Sequence, residues 1–440
     1  MDILLKLPTW SPSSVPASTT LKSIASSFAP GALETLSLGV EQIQKISDTA
    51  EIGKFITLSR DIRGAQATLT IISAEQVLAT ATDSSVQAKA TQAIFDATLN
   101  LADLAQEENF YSIYLNRFGN VWYLVIFSII MLYLMGMLSK SRYWWFNITF
   151  VCGYALEWMG FLGRVLAFTD DTDQNFFLLQ YISLTIAPAF IMAGIYFVFA
   201  QLVVIHGRHF SVLKPLWYSY MFITFDVVSL IIQAGGGGAA STATTEHRDP
   251  TPGTNTMIAG IAFQVFGMTI FLVFWFEFLN RIYFKEVDSK NGYEVEHQKF
   301  AKKSVKNYLR LLFNVPSVRN YRRDHLDQYY SPQFAKIRHG KLFDWFPLGI
   351  TIAVLAVYVR SVYRVVELAQ GFDGFLITHE VFLFTLDAMM IATCGLIFIP
   401  LHPVWVLGKE VPVRLATIRK NQDTKEELSD DGSETNVGIC

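Results

Sequence analysis

Seven long apolar runs, separated by polar connections, dominate the hydrophobic pattern of the chain. Each run has about the 20 residues that an α-helix needs to cross a bilayer core. None of the seven contains Lys or His, and Tyr and Trp gather at several ends, as they do at membrane–water interfaces. The runs are Val121–Leu138, Trp144–Phe168, Phe176–Ile205, Leu216–Ala240, Met257–Leu279, Trp345–Val366 and Val381–Leu401. The pattern predicts an all-α, multi-pass membrane protein with seven transmembrane helices.

Basic residues near the ends of the runs indicate the orientation. One side carries 23 Lys and Arg residues, fourteen of them in the loop 280–344 between runs five and six. The connections on the other side carry one, Arg248. Because cytoplasmic connections are enriched in Lys and Arg, the amino terminus is predicted outside and the carboxyl terminus in the cytoplasm.

The pattern divides the chain into three parts. Residues 1–119 are predicted to be an extracellular, partly helical segment, with amphipathic helices over Gly31–Arg63 and Ala65–Gln106, where apolar residues recur at helical spacing. Residues 120–405 are the seven-span membrane domain. Residues 406–440 are expected to form an acidic, solvated cytoplasmic tail.

Composition agrees with a membrane protein and narrows its partners. The mean hydropathy is +0.33 and only 17% of residues are charged, against about 25% in soluble domains. The net charge of −3 provides no basic field for nucleic acid, so no such partner is expected. The basic cytoplasmic loop is expected to contact anionic lipid of the inner leaflet.

Polar and ionisable residues inside the apolar runs are the candidates for function. An ionisable side chain at the centre of a membrane helix costs roughly 2.5–3.5 kcal/mol, so each requires a partner or a task. Spacings of three, four or seven residues keep those of one helix on a common face. The candidate substrate-binding residues are Glu157, Arg164, Gln180, Asp226, Gln233, Gln264, Arg360, Arg364, Glu367 and Asp387. These stripes are expected to face a shared polar interior.

Two features of the apolar runs can each be interpreted in two ways. Glu157 and Asp226 can form interhelical ion pairs with Arg360 and Arg364 that hold the bundle together, or the same groups can line a polar site. The number of helices involved favours a polar site for the set. The glycine run Gly235–Gly238 is also open, between an unwound helix or close helix approach and a loose extracellular connection.

Signatures of catalysis and of cofactor binding are missing from the sequence. No run has a lysine for a retinal Schiff base, all eight histidines lie outside the runs, and no GxxxxGK[ST] phosphate-binding loop occurs. His206 and His209 flank a Gly-Arg pair, but no further metal ligand stands nearby. We expect no enzymatic activity, no cofactor and no bound metal.

Several stretches form a recognisable pattern, in order between about Phe110 and Trp405. The stretches are Glu157–Arg164, Ala187–Tyr196, Ile223–Asp226, Gln233–Gly238, Gly260–Gln264, Arg360–Glu367, Gln370-Gly371, His379–Val381, Asp387 and His402-Pro403. They resemble a known family, the fungal lipid-translocating exporters, which includes aminocholesterol-resistance proteins and sphingoid long-chain-base exporters. Val212–Tyr220 is most similar to the sphingoid-base exporter branch. The amino-terminal segment is longer than the usual short start of the family.

The resemblance implies a plasma-membrane protein that moves sphingoid long-chain bases, or related cationic amphiphiles, from the cytoplasmic to the outer leaflet. The chain of the lipid is expected to stay in the membrane, since exposing it to water costs ~0.8 kcal/mol per CH₂. The headgroup would pass along a polar interhelical groove. There the carboxylates are expected to receive its ammonium, the amides to bond its hydroxyls, and two arginines to balance the carboxylates when no substrate is bound. The carboxylates are Glu157, Asp226 and Asp387, the amides are Gln180, Gln233 and Gln264, and the arginines are Arg360 and Arg364.

Two alternatives remain. A seven-helix lipid-sensing receptor fits the external amino terminus and the large fifth-to-sixth connection, although no DRY-like or NPxxY motif occurs. An exporter of other amphiphiles, such as sterol-like amines or porphyrins, fits the same polar stripes.

Overall fold

The computed structural model describes residues 19–45, 52–109, 111, 113–245, 248–284, 300, 302–371 and 374–408. All regular secondary structure within these ranges is helical, which confirms the predicted all-α class. The α-helices are α1 (Ala29–Lys45), α2 (Ile52–Thr80), α3 (Ser84–Glu108), α4 (Arg117–Lys140), α5 (Trp144–Leu166), α6 (Gln174–His206), α7 (Pro215–Thr245), α8 (Thr251–Phe284), α9 (Val305–Leu312), α10 (Pro316–Tyr321), α11 (Ala335–Arg338), α12 (Phe346–Ala369), α13 (Glu380–Phe382), α14 (Met389–Phe398) and α15 (Pro403–Leu407).

Six helical stretches of the described chain are long and apolar enough to cross a membrane. They are Arg117–Lys140, Gln174–His206, Pro215–Thr244, Thr251–Phe284, Phe343–Ala369 and Glu380–Leu407. Each overlaps one of the seven predicted spans. The chain is therefore a multi-pass membrane protein.

The second predicted span forms helix α5, which is not among these six. Its 23 residues are enough to cross a bilayer, but Asn147, Glu157 and Arg164 lower its apolar character. All three side chains are buried within the protein rather than exposed on the helix surface. The count of seven crossings stays a prediction.

The described residues fall into two compact units. The first takes in residues 1–114, 171–174 and 236–254, and the second takes in residues 115–170, 175–235 and 255–440. In the first unit, Ile71 of α2 and Ile94 of α3 lie in a small apolar core. Beside that core, Arg63 pairs with Asp103 at 2.8 Å and with Glu107 at 2.9 Å, which ties α2 to α3.

The amino-terminal helices differ from the predicted pair. Gly64 was expected to separate two helices, but it lies inside α2. The break instead follows Thr80, where the Asp83 carboxylate accepts a hydrogen bond from the Ser85 backbone N–H and caps α3. The Asp cap is the stronger of the two signals, because it satisfies a backbone donor that the start of a helix leaves open. A single glycine is a weaker signal for the end of a helix.

In the second unit, α6 is the most buried of the membrane-crossing helices. Glycines of α5 allow close contact with it, since a Cβ at Gly153 would lie 2.7 Å from Ile191 and one at Gly163 would lie 2.9 Å from the Phe176 carbonyl oxygen. Such small residues let helix backbones approach closely in membranes. The close approach of α5 to α6 holds Glu157 in the interior of this unit.

Helix α7 is continuous through the four glycines 235–238. The interpretation of this run as a loose connection is therefore wrong, because these residues keep helical backbone hydrogen bonding. A close helix approach is observed instead: a Cβ at Gly253 of α8 would lie 2.8 Å from the Gly236 carbonyl oxygen and 2.4 Å from the Ala240 backbone nitrogen.

Candidate functional site

Five of the ten predicted site residues meet in one buried group, which we call the ion-pair cluster. Its members come from α5, from α12 and from the π-helical segment that joins α13 to α14. They are Glu157, Arg360, Arg364, Glu367 and Asp387.

Arg360 connects three of the elements around the cluster. Its guanidinium forms ion pairs with Glu157 and with Asp387, and all three side chains are at most 1% exposed. A third guanidinium nitrogen donates to the Leu184 carbonyl oxygen of α6 at 2.7 Å. Breaking a buried ion pair on one side leaves an uncompensated charge, so these contacts constrain the packing of α5, α6 and α12.

Arg364 extends the cluster by one helical turn. It pairs with Asp387 and donates to Glu367 at 2.8 Å. The second Glu367 oxygen accepts a hydrogen bond from the Tyr363 hydroxyl at 2.8 Å. Tyr363 was not among the predicted site residues, although it stands within the resembling stretch Arg360–Glu367.

The cluster holds three carboxylates and two guanidiniums. Its formal charge is therefore −1 when every group is ionised. Buried charge of one sign is unfavourable in a medium of low dielectric, so the cluster attracts a cation or a proton. The interhelical ion-pair interpretation holds for Glu157, and Asp387 forms the same kind of pair, whereas Glu367 pairs with Arg364 of its own helix. The charges of these pairs do not cancel.

A small cavity lies beside the cluster. Its volume is about 20 Å³, enough for about one water molecule, and its lining includes Gln233, Gln264, Arg360 and Arg364. The Gln233 amide donates to the Gln264 oxygen at 3.1 Å. This leaves the Gln233 oxygen and the Gln264 nitrogen without a hydrogen-bond partner among the described residues. We call this space the amide cavity.

Asp226 does not belong to the ion-pair cluster or to the lining of the amide cavity. It is 4% exposed, and its carboxyl group hydrogen-bonds to the Tyr196 hydroxyl of α6. The predicted pairing of Asp226 with Arg360 or Arg364 is therefore wrong, since both arginines are engaged by other carboxylates. Tyr196, absent from the predicted set, ends the resembling stretch Ala187–Tyr196.

Arg164 lies in a second polar group, at the end of α5. Its partner is Glu380, and Asn120 of α4 contacts both residues. Glu380 was outside the predicted spans and was not a candidate, so sequence reasoning missed this pair.

Gln180 is buried on α6 but lines neither the amide cavity nor the ion-pair cluster. The structure therefore separates Arg164 and Gln180, like Asp226, from the seven candidates of the ion-pair cluster and the amide cavity.

Part of the predicted basic loop folds against the helix ends. Arg338 donates to the Ile205 carbonyl oxygen at 3.1 Å and pairs with Asp327 at 2.6 Å. Tyr330 donates to the Ile282 carbonyl oxygen at 2.7 Å, and burial raises the pKa of its phenol. Several arginines of the loop are thus occupied by internal contacts.

Comparison with known proteins identifies the family. The sequence profile described as RTA1 like protein matches residues 150–410, which contain all ten candidate residues. The chain belongs to the RTA1-like family. No solved structure matches the chain significantly.

Three relatives from Saccharomyces cerevisiae illustrate the range of this RTA1-like family. The sphingoid long-chain base transporter RSB1 (strain JAY291) is 36% identical over 316 residues, which cover 71% of this chain and 78% of the relative. Protoporphyrin uptake protein 1 is 26% identical over 245 residues, or 55% of this chain and 63% of the relative. Protein RTM1 is 24% identical over 250 residues, or 56% and 64%.

Proposed function

We propose that this protein transports sphingoid long-chain bases or related cationic amphiphiles across the plasma membrane, from the cytoplasmic to the outer leaflet. The name of the RSB1 relative supports the substrate class. The observation that carries the proposal is the amide cavity beside a cluster with one excess negative charge.

The chemistry of the amide cavity fits an amino alcohol. An ammonium group is similar in size to a water molecule and has N–H donors for the free Gln233 oxygen. A neighbouring hydroxyl can accept from the free Gln264 nitrogen. The charged side chains that line the amide cavity are those of Arg360 and Arg364, so the attraction for the ammonium comes from the net negative charge of the whole ion-pair cluster behind them. The alkyl chain remains in lipid, so only the headgroup has to pass between the helices.

The proposed topology has seven crossings, with α5 as the second. Residues 1–119 are then extracellular and 406–440 cytoplasmic, and the loop 280–344 faces the inner leaflet. The described lysines of this loop, rather than its internally paired arginines, are the groups proposed to contact anionic lipid.

Porphyrin transport is the second candidate, favoured by the relative named protoporphyrin uptake protein 1. The arginines that line the amide cavity would accept a carboxylate, but the net charge of the ion-pair cluster argues against this candidate. The carboxylates of a porphyrin would meet the excess negative charge of the ion-pair cluster, whereas an ammonium neutralises it.

The test uses purified protein in liposomes that carry a fluorescent long-chain base. We expect the wild-type protein to accelerate transfer of the base between leaflets, and Gln233→Leu with Gln264→Leu to slow it at least tenfold. Gln201→Leu is the matched control, since Gln201 is equally buried but does not line the amide cavity.

Three outcomes would contradict the proposal. Equal rates for the wild-type protein and the double variant would remove the amide cavity from the path. Preference for a labelled porphyrin over the base would favour the second candidate. Binding of the base without any transfer would favour a lipid-sensing receptor.

A further inference from the structure

Asp226 is a buried carboxyl group without a cationic partner. It lies on α7 with 4% of its surface exposed, and its Oδ2 atom has no hydrogen-bond partner among the described residues. By contrast, the carboxylates of Glu157, Glu367 and Asp387 each contact an arginine. Asp226 therefore differs from these three carboxylates in having no arginine partner.

The Asp226 carboxyl has one hydroxyl among its described partners. Tyr196 of α6 supplies the hydroxyl, and the rings of Phe222 of α7 and Phe271 of α8 pack against Tyr196 at centroid distances of 5.3 and 4.8 Å. The Ser229 hydroxyl donates to the Asp226 backbone carbonyl oxygen, not to the carboxyl group. Among the described residues, Tyr196 is the titratable group that faces Asp226.

An ionised carboxylate in such a place is strongly unfavourable. Burial removes its hydration, no cation compensates for the loss, and a single hydroxyl cannot replace several water molecules. A bound proton removes the charge. Burial without a cation therefore favours the neutral, protonated form of Asp226.

Asp226 and the amide cavity lie along the same face of α7. Gln233 follows Asp226 by seven residues, which is two helical turns or about 10 Å along the axis. Ser229, fully buried, lies between them on this face. A headgroup that leaves the amide cavity along α7 therefore reaches Asp226 next.

We propose that Asp226 is a proton site at which a proton and the substrate ammonium compete, so that transport exchanges one cationic amphiphile for one proton. The inference rests on the proposed function and adds its coupling ion. As the ammonium arrives, the carboxyl releases its proton to water and keeps both bonding electrons. The carboxylate is then neutralised by the ammonium. As the ammonium leaves, a proton from water restores the carboxyl.

The first test detects the proton without measuring transport. Infrared spectra of the purified protein at neutral pH should contain the carbonyl band of a protonated carboxyl that disappears in Asp226→Asn. Asp61→Asn, which changes an exposed carboxylate of α2, should leave that band unchanged. Tyr196→Phe should shift the band without abolishing it. If the wild-type and Asp226→Asn spectra are equal in this region, Asp226 holds no proton.

The second test measures competition. A long-chain base with its primary ammonium serves as the probe, and binding is measured below pH 8, where the ammonium keeps its charge because alkylammonium groups titrate near pH 10. Below the pH at which Asp226 ionises, we expect the affinity of the wild-type protein for the probe to rise about tenfold for each unit by which the pH increases. One proton should be released per probe molecule bound. Asp226→Asn should bind the probe with an affinity that does not change with pH and release no proton.

The results separate this inference from the proposed function. If the wild-type protein moves long-chain bases but its affinity for the probe is independent of pH, the proton site is disproved and the transporter stands. If the infrared band is present but no long-chain base is bound or moved, the proposed function fails and the exchange fails with it.

Discussion

Arg360 is the arginine at the centre of the ion-pair cluster. Its fully buried side chain contacts two carboxylates and a backbone carbonyl oxygen. Buried ion pairs contribute little net stability compared with well-packed apolar residues, but removal of one partner is costly. The arginine is thus required mainly because the carboxylates are there.

Replacing Arg360 with Met should therefore lower the free energy of unfolding by about 3–5 kcal/mol, since Glu157 loses its cation and Asp387 keeps only Arg364. Thermal unfolding in detergent measures this loss. The triple variant Arg360→Met, Glu157→Gln, Asp387→Asn should recover much of it, because no buried charge is then left without a partner. A single variant as stable as the wild-type protein would contradict this account.

At the scale of elements, the contact between α5 and α6 depends on glycine. Among the glycines of α5, Gly163 lies closest to the backbone of α6. A Cβ at Gly163 would lie 2.9 Å from one backbone oxygen and 3.1 Å from one backbone nitrogen. Backbone atoms of a packed helix cannot move aside as a flexible side chain can.

Gly163→Ala is therefore expected to destabilise the protein by about 1–3 kcal/mol through overpacking. Gly136→Ala in α4 is the matched control, since a Cβ there meets no atom within 4 Å and helices favour Ala over Gly. Thermal unfolding of both variants decides the point. Equal destabilisation by the two would attribute the effect to the glycine backbone rather than to helix packing.

The segment that carries Asp387 explains why the cluster could not be assembled from the sequence. Residues Leu383–Ala388 are π-helical, which changes the rotation per residue and so the direction in which Asp387 points. Its contact with Arg360 depends on that turn. A regular period of 3.6 residues predicts the helix but not this orientation of Asp387.

At the scale of the whole molecule, the number of crossings decides the sides of the two termini. Seven crossings place them on opposite sides, with the carboxyl terminus in the cytoplasm. Epitope tags should show the amino terminus accessible in intact cells and the carboxyl terminus accessible only after permeabilisation. Both termini on one side would mean an even number of crossings, with α5 not crossing the membrane.

The helical class, the membrane environment and the family resemblance could be predicted from the amino-acid sequence alone. These follow from the lengths of the apolar runs, which the bilayer thickness dictates, and from short stretches that are local in the chain. The sequence also indicated which residues could not face lipid, because an unpaired charge there is unfavourable in any arrangement.

Which of those residues come into contact could be seen only in the folded protein. Ten candidates separated into the ion-pair cluster, the amide cavity, the Asp226–Tyr196 pair, the Arg164–Glu380 pair and a buried Gln180. Helical spacing fixes the face on which a side chain stands, but the partner of that face depends on how helices distant in sequence rotate and approach. Glycines of α5 and the π-helical turn before α14 set that rotation and distance here.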